Sequence, residues 1–175
     1  MLEPLIPRPN FLCDKIEYMI AVLHNIRSVY NAGSMFRTAD AAGVEKIYLC
    51  GITPAPKDKY GRMRRDFVKV SLGAEKSVEW EKKYSTSRTL NDLKKQGYKI
   101  FAVEQDKNSV LYNKFKIGKK ELKNSVFVFG NEVEGLPKSI LEKADKILEM
   151  PMKGKKESLN VSVAFGIITF YFNGA

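Results

Sequence analysis

The chain has 175 residues, 44% of them hydrophobic, with 30 Lys and Arg against 20 Asp and Glu, a net charge of +10. The length fits a single domain, 1–175, with a sizeable core, and two cysteines, Cys13 and Cys50, are too few for a disulfide-stapled secreted scaffold. The charge favours a polyanionic partner through counterion release, and no uncharged apolar run reaches the ~18 residues that a bilayer crossing needs.

In chain order, residues 1–15 are proline-rich and lack a period, so they read as an extended arm. They also lack the basic region and apolar core of a signal peptide. With few cysteines, the expected compartment is reducing, hence cytoplasmic, with no membrane association. Residues 18–23 (YMIAVL) read as a buried strand. Residues 31–42 read as a helix, with Ala32, Met35, Phe36, Ala39 and Ala42 in one apolar stripe and Gly43 at the C′ position. Lys46–Cys50 is the next strand, so the segment is a βαβ unit. After a basic loop at 52–66, short strands are expected at 67–70 and 78–81, with a helical turn at 72–76 between them. A helix over 86–96 and a strand over 98–103 follow. The long polar connection 104–124 has room for a helical piece near 110–113. The remainder reads as a strand at 126–129, a helix at 137–143, a strand at 147–150 and a nearly all-apolar helix from Ser158. Strand and helix alternate throughout, which predicts an α/β domain with a mainly parallel sheet flanked by helices.

Polar groups gather where apolar strands stop. Asn31 and Arg37 follow the first strand. They are as consistent with an N-cap and a surface cation as with a site. Gly130-Asn131-Glu132-Val133-Glu134-Gly135 follows the strand at 126–129, and its glycines permit a tight turn or close approach to a ligand. Its two acids read equally as a solvated loop. Ser158 could simply cap the last helix, whereas Asn160, entering an apolar helix, needs hydrogen-bond partners. His24 is the only histidine and no Cys/His cluster exists, so no metal site is expected. The chain has no GxGxxG after a strand, no GxxxxGK[ST] and no GxSxG, which removes the ordinary dinucleotide, P-loop and hydrolase readings.

Three stretches taken together resemble the SpoU/TrmH family of the SPOUT superfamily, RNA ribose methyltransferases. They are Asn31-Ala-Gly33-Ser-Met-Phe-Arg37-Thr-Ala-Asp40, then Gly130 to Leu136, then Met150-Pro151-Met152-Lys153-Gly154 with Ser158 to Ala164. The resemblance covers roughly residues 18–172 and implies a C-terminal deep trefoil knot, which general rules of topology would not predict. It also implies S-adenosylmethionine as cofactor, RNA as substrate, and a homodimer packed through the first and last helices.

By position, the resemblance makes Arg37 the catalytic arginine, with Asn31, Glu132, Ser158 and Asn160 around the reacting centre. Cofactor contacts are expected from Val103, Glu104, Phe129, Gly130, Ile147, Leu148, Met150, Ser158 and Leu159. The reaction is attack of a ribose 2′-hydroxyl on a sulfonium-bound methyl carbon, helped by alignment and proton removal. A guanidinium with a pKa above ~12 is a poor base, so Arg37 is equally expected to orient a phosphate and stabilise negative charge. Many relatives carry an added RNA-binding domain or tail that this sequence does not show. RNA selection is therefore expected from the surface of the domain or from a dimer partner: Arg27, Lys57, Lys59, Arg62, Arg64 and Arg65, with Lys153, Lys155 and Lys156. The compact size slightly favours tRNA over rRNA. A catalytically inactive RNA-binding protein of the same fold is the main alternative, and a base methyltransferase of another SPOUT branch is a third.

Overall fold

The computed structural model describes residues 19–173, so the expected N-terminal arm lies outside the described residues. Seven strands form one sheet, in the order β3-β2-β1-β6-β4-β7-β5, and every ladder is parallel. They are β1 (Ile20–His24), β2 (Lys46–Cys50), β3 (Glu79–Lys83), β4 (Lys99–Val103), β5 (Val110–Leu111), β6 (Ser125–Phe129) and β7 (Lys146–Glu149). The helices are α1 (Val29–Ala42), α2 (Arg65–Ser71), α3 (Ala74–Ser77), α4 (Thr86–Lys95), α5 (Lys119–Leu122), α6 (Lys138–Leu141) and α7 (Val161–Asn173).

Both faces of the sheet are covered, which is why its central strands are continuous apolar runs. Successive side chains alternate between the faces. Phe127 and Phe129 of β6 join Leu23, Phe36, Phe67, Phe165 and Phe172 in one core, under α1, α2 and α7. Val126 and Val128 join Ile20, Val22, Leu90, Leu93 and Ile140 in the other, under α4 and α6. At the outer edge, β3 carries charge instead: Lys46 reaches Glu79 (2.6 Å) and Glu81 (3.6 Å), and Glu81 pairs with Lys83 (2.5 Å).

Local chemistry sets the ends of α1. Ser28 Oγ accepts from Asn31 N (3.2 Å), and Gly43 closes the helix at φ 73°. The cap is therefore Ser28, and the Asn31 side chain, in the first turn, is available for other partners. Gly33 is the contact point with α2, since a Cβ there would lie 3.0 Å from Val70 Cβ.

Three expected elements differ. Residues 67–70 form part of helix α2, not a strand. Phe67 is fully buried, with its ring edge-on to Phe36 at 5.1 Å, so packing against α1 overrides the strand preference of the β-branched valines. Residues 110–111 are the short edge strand β5, paired to Leu148 and Glu149, rather than a helical piece; Tyr112 N donates to Glu149 O (3.0 Å) and extends that alignment. The last helix starts at Val161, not Ser158. Asn160 caps it: its Oδ1 accepts from Ser162 N (2.8 Å) and its carbonyl from Val163 N and Ala164 N. Asn160 is exposed, so it does not enter burial as expected.

The strand order bears on the expected knot. β7 lies between β4 and β5, so the β4–β5 connection spans the carboxyl end of β7. The chain leaving β7 has to pass that connection before α7 can pack on β6, where Phe165 meets Phe129 (5.0 Å) and Phe172 meets Phe127 (5.1 Å). Gln105 Nε2 donates to Glu157 O (2.5 Å) where the two segments meet. This is the order that a threaded C-terminus requires.

Candidate active site

The parallel registers bring Leu23, Phe129, Val103 and Leu148 to one level at the carboxyl edge of the sheet, the edge where α/β folds bind ligands. A cavity of about 270 Å³ opens there, above β4, β6 and β7. Val103, Phe129, Leu148, Met150 and Leu159 give it apolar walls; Glu104, Gln105, Gly130 and Ser158 supply polar groups. All of the expected cofactor residues line it except Ile147. That side chain leaves β7 on the other face and packs against the second core.

The loop after β6 is fixed from within. Asn131 is buried, and its Oδ1 accepts from Val133 N (2.9 Å) and Glu134 N (2.8 Å). Gly135 N returns to Asn131 O (3.1 Å). The turn needs both glycines. Gly135 has φ 64°, and a Cβ on Gly130 would sit 2.5 Å from the Gly135 carbonyl carbon. From β4, Glu104 anchors the turn: Oε2 accepts from Leu136 N (2.8 Å) and Oε1 from Gln105 N (2.9 Å). Asn131 and Gln105 were not among the expected site residues. Asn131 stands beside Glu132 in the glycine-bounded motif, but a long-range partner such as Glu157 for Gln105 leaves no local signal.

Three of the expected catalytic residues are joined. Asn160 Nδ2 donates to Asn31 Oδ1 (3.2 Å), and Asn31 Nδ2 donates to Glu132 Oε1. The three separate stretches of sequence are thus tied by one relay, which reaches the cavity lining at Glu132 while Asn31 and Asn160 stand behind it. Ser158 lines the cavity itself. Arg37 is not part of this set. It is exposed on α1, about 9 Å along the helix axis from Asn31 at 1.5 Å per residue, and it does not line the cavity.

The expected RNA-contact residues divide. Arg27 pairs with Glu134 (3.2 Å) at the cavity rim, with side chains 52% and 70% exposed; a pair so open to water contributes little stability. In the basic loop, Arg62 is held by Asp58 (2.9 Å) and Arg64 by Asp66 (3.1 Å). These contacts hold both carboxyls below their ordinary range: for Asp58 chiefly the Arg62 backbone N–H, for Asp66 chiefly the Arg64 side chain. Lys57, Lys59, Arg65, Lys153, Lys155 and Lys156 are exposed, with Lys59 Nζ 4.9 Å from the Tyr60 ring centre. His24, at the end of β1, bonds Thr86 Oγ1 through Nδ1 (2.7 Å). Burial holds its pKa below the ordinary 6.5, against an upward pull from Glu134.

Among the described residues no cluster of His, Cys, Asp and Glu could hold a metal ion, and no helix is long and apolar enough to cross a membrane. The site is an apolar cleft with backbone groups at strand ends and three carboxylates around it (Glu104, Glu132, Glu134), in a chain of net charge +10. That suits a ligand with a flat apolar part and a positive centre.

The model of the SpoU rRNA Methylase family matches residues 18–170. The chain is 33% identical over 151 residues to the 23S rRNA (guanosine-2'-O-)-methyltransferase RlmB of Neisseria meningitidis serogroup B, covering 86% of this chain and 56% of that protein. It therefore spans little more than half the length of this curated relative. Its fold matches the AdoMet-bound rRNA methyltransferase from Sinorhizobium meliloti with a TM-score of 0.79 at 27% identity, over 90% of this chain and 56% of the other. It also matches the A. aeolicus TrmH/SpoU tRNA modifying enzyme with a TM-score of 0.73 at 30% identity, over 90% and 74%.

Proposed function

The chain belongs to the SpoU rRNA methylase family, and from that premise we propose that it transfers a methyl group from S-adenosylmethionine to a ribose 2′-hydroxyl of RNA. The relay Asn160–Asn31–Glu132 beside an acid-rimmed cavity carries this reading, because it joins all three sequence stretches at one ligand site. The residues present fit the cofactor. The apolar floor of Phe129, Leu148 and Met150 suits an adenine, strand-end backbone groups can meet its nitrogens, and the carboxylates suit an ammonium and a sulfonium. When bound, the cofactor supplies an electrophilic methyl group. Asn31 and Glu132, held in one orientation by their mutual bond, position the incoming ribose. Arg37 orients an RNA phosphate and offsets negative charge as the hydroxyl loses its proton.

Ribosomal RNA is the substrate class we propose. The Neisseria relative is named for 23S rRNA, and the slight tRNA preference read from compact size has no support from it. The likeness to a tRNA modifying enzyme keeps tRNA as the control substrate. A homodimer is the proposed assembly: Val163 (49% exposed) and Phe170 (53%) on α7, with Tyr30 (62%) on α1, leave apolar surface uncovered. A cytoplasmic location goes with the proposed rRNA substrate. The test incubates the protein with S-adenosylmethionine and rRNA or tRNA and analyses the nucleosides. A 2′-O-methylnucleoside is expected from rRNA. Arg37→Ala should abolish transfer while calorimetric cofactor binding stays within about twofold. Retained transfer by that variant would remove Arg37 from the reaction, and methylation of a base would overturn the ribose assignment.

A further inference from the structure

A second concave surface lies toward the other end of α7. About 260 Å³ opens between the segment that follows β5 and the C-terminal end of α7. Phe115, Tyr171 and Phe172 form its apolar side, and Lys116 and Lys119 rim it. Its surroundings are strongly basic. Lys114, Lys116, Lys119 and Lys120 lie within seven residues of one another and are all exposed, with Glu121 the one acid beside them. None of the four has an acidic partner among the described residues. In the loop after β2, by contrast, Arg62 and Arg64 are already held by carboxylates. Clustered cations without acidic partners are available to neutralise phosphates, and each phosphate neutralised releases a cation condensed on the nucleic acid.

Tyr171 gives the groove a fixed aromatic surface. Its hydroxyl donates to Asn113 O (3.1 Å), and its ring stands edge-on to Tyr112 (5.1 Å) and Phe172 (5.0 Å). Even so, 38% of the residue stays exposed. A held aromatic ring beside a row of free lysines is the pairing that binds single-stranded nucleic acid, with bases stacked and phosphates neutralised. Tyr171 lies ten residues along α7 from Val161, which lines the cavity. At 1.5 Å per residue the two sites are about 15 Å apart.

We propose that this groove is a second RNA contact, seating an unpaired nucleotide against Tyr171 and its flanking phosphates on Lys114, Lys116, Lys119 and Lys120. It rests on RNA being the substrate. It would secure the RNA at a point distant from the methylated ribose, which the cavity itself cannot do. The test replaces the four lysines with Gln together, and separately makes Tyr171→Leu. Binding of labelled polyuridylate is followed against salt, and methyl transfer is followed against rRNA concentration.

The lysine variant should lower the slope of log affinity against log salt by about 3, at ~0.7 for each phosphate that is no longer neutralised. It should raise the KM for rRNA about tenfold or more, with cofactor binding unchanged. Tyr171→Leu should weaken polyuridylate binding at least about fivefold at every salt concentration, leaving the slope as it was. Unchanged slope and KM in a lysine variant, when the wild type binds and methylates RNA, overturn the groove alone and leave those lysines to an acidic protein partner. A wild type that neither binds polyuridylate nor methylates rRNA overturns the RNA reading as a whole.

Discussion

Two loops wall the cavity, and they are held in different ways. The loop 130–135 closes on itself through Asn131 and is pinned from β4 by Glu104. The loop 151–160 is exposed along nearly its whole length, and the long-range bond from Gln105 Nε2 to Glu157 O ties it to the segment after β4. Local stability follows from buried contacts and satisfied backbone groups. One wall of the site is therefore preformed, and the other can adapt to what enters. A ligand that has to be admitted and then aligned needs both.

The contrast breaks most sharply at the glycines. Gly130→Ala drives a Cβ to 2.5 Å from backbone, where no flexible side chain can yield. It should cost about 1–3 kcal/mol in denaturant unfolding and abolish cofactor binding by calorimetry; a variant that binds normally would mean that the fixed wall is dispensable. Glu104→Gln comes next. It removes the charge from two backbone-facing bonds, each worth about 1.5–3 kcal/mol when charge-assisted. The expected loss is in that range by unfolding, with faster hydrogen exchange at Leu136. Gln105→Ala tests the adaptable wall. Stability should change by less than about 1 kcal/mol, while amides of 151–160 exchange faster and cofactor affinity drops a few fold. An equal exchange rate in the two loops of the wild type would erase the distinction altogether.

The smallest effect concerns pH. Burial lowers the pKa of His24 in the folded protein, so the unfolded chain binds the proton more tightly. Its contribution is complete above about pH 6.5 and is lost as pH falls through the lower folded value. Melting temperature should fall between about pH 7 and pH 5, less so in His24→Gln. The same slope in both proteins would assign the acid sensitivity to other groups.

Much of this contrast was legible in the sequence, and unevenly so. β6 could be read because a strand buried on both faces is an unbroken apolar run, and Gly130 marks its end. β2 matched residue for residue because Ile47, Leu49 and Cys50 are buried apolar positions and Gly51 breaks the run after them. The run at 67–70 failed because three apolar residues around Lys69 look alike in a short strand and in a buried helix turn; the contact of Phe67 with Phe36 decides between them. β5 has two residues and no period to read. In the site, the glycines and Asn31, Glu132 and Asn160 were visible as types in a pattern, and the relay that joins them was not, because it spans 101 and 129 residues of sequence. Arg62 and Arg64 looked available for phosphate, although Asp58 and Asp66 stood close by in the same cluster. Ile147 is set apart from Leu148 because alternate side chains of β7 face opposite cores, an alternation that a four-residue strand barely displays.

The charged outer strand has a further bearing on how this molecule meets others of its kind. β3 offers Glu79, Glu81, Lys82 and Lys83 at one border of the sheet, and at the other border β5 is only two residues long. Neither border can recruit a foreign strand at low cost, since added chains would have to bury those charges or pair along almost no length. Edge-to-edge stacking into fibres is disfavoured on both sides, which turns association between copies toward the faces of the helices.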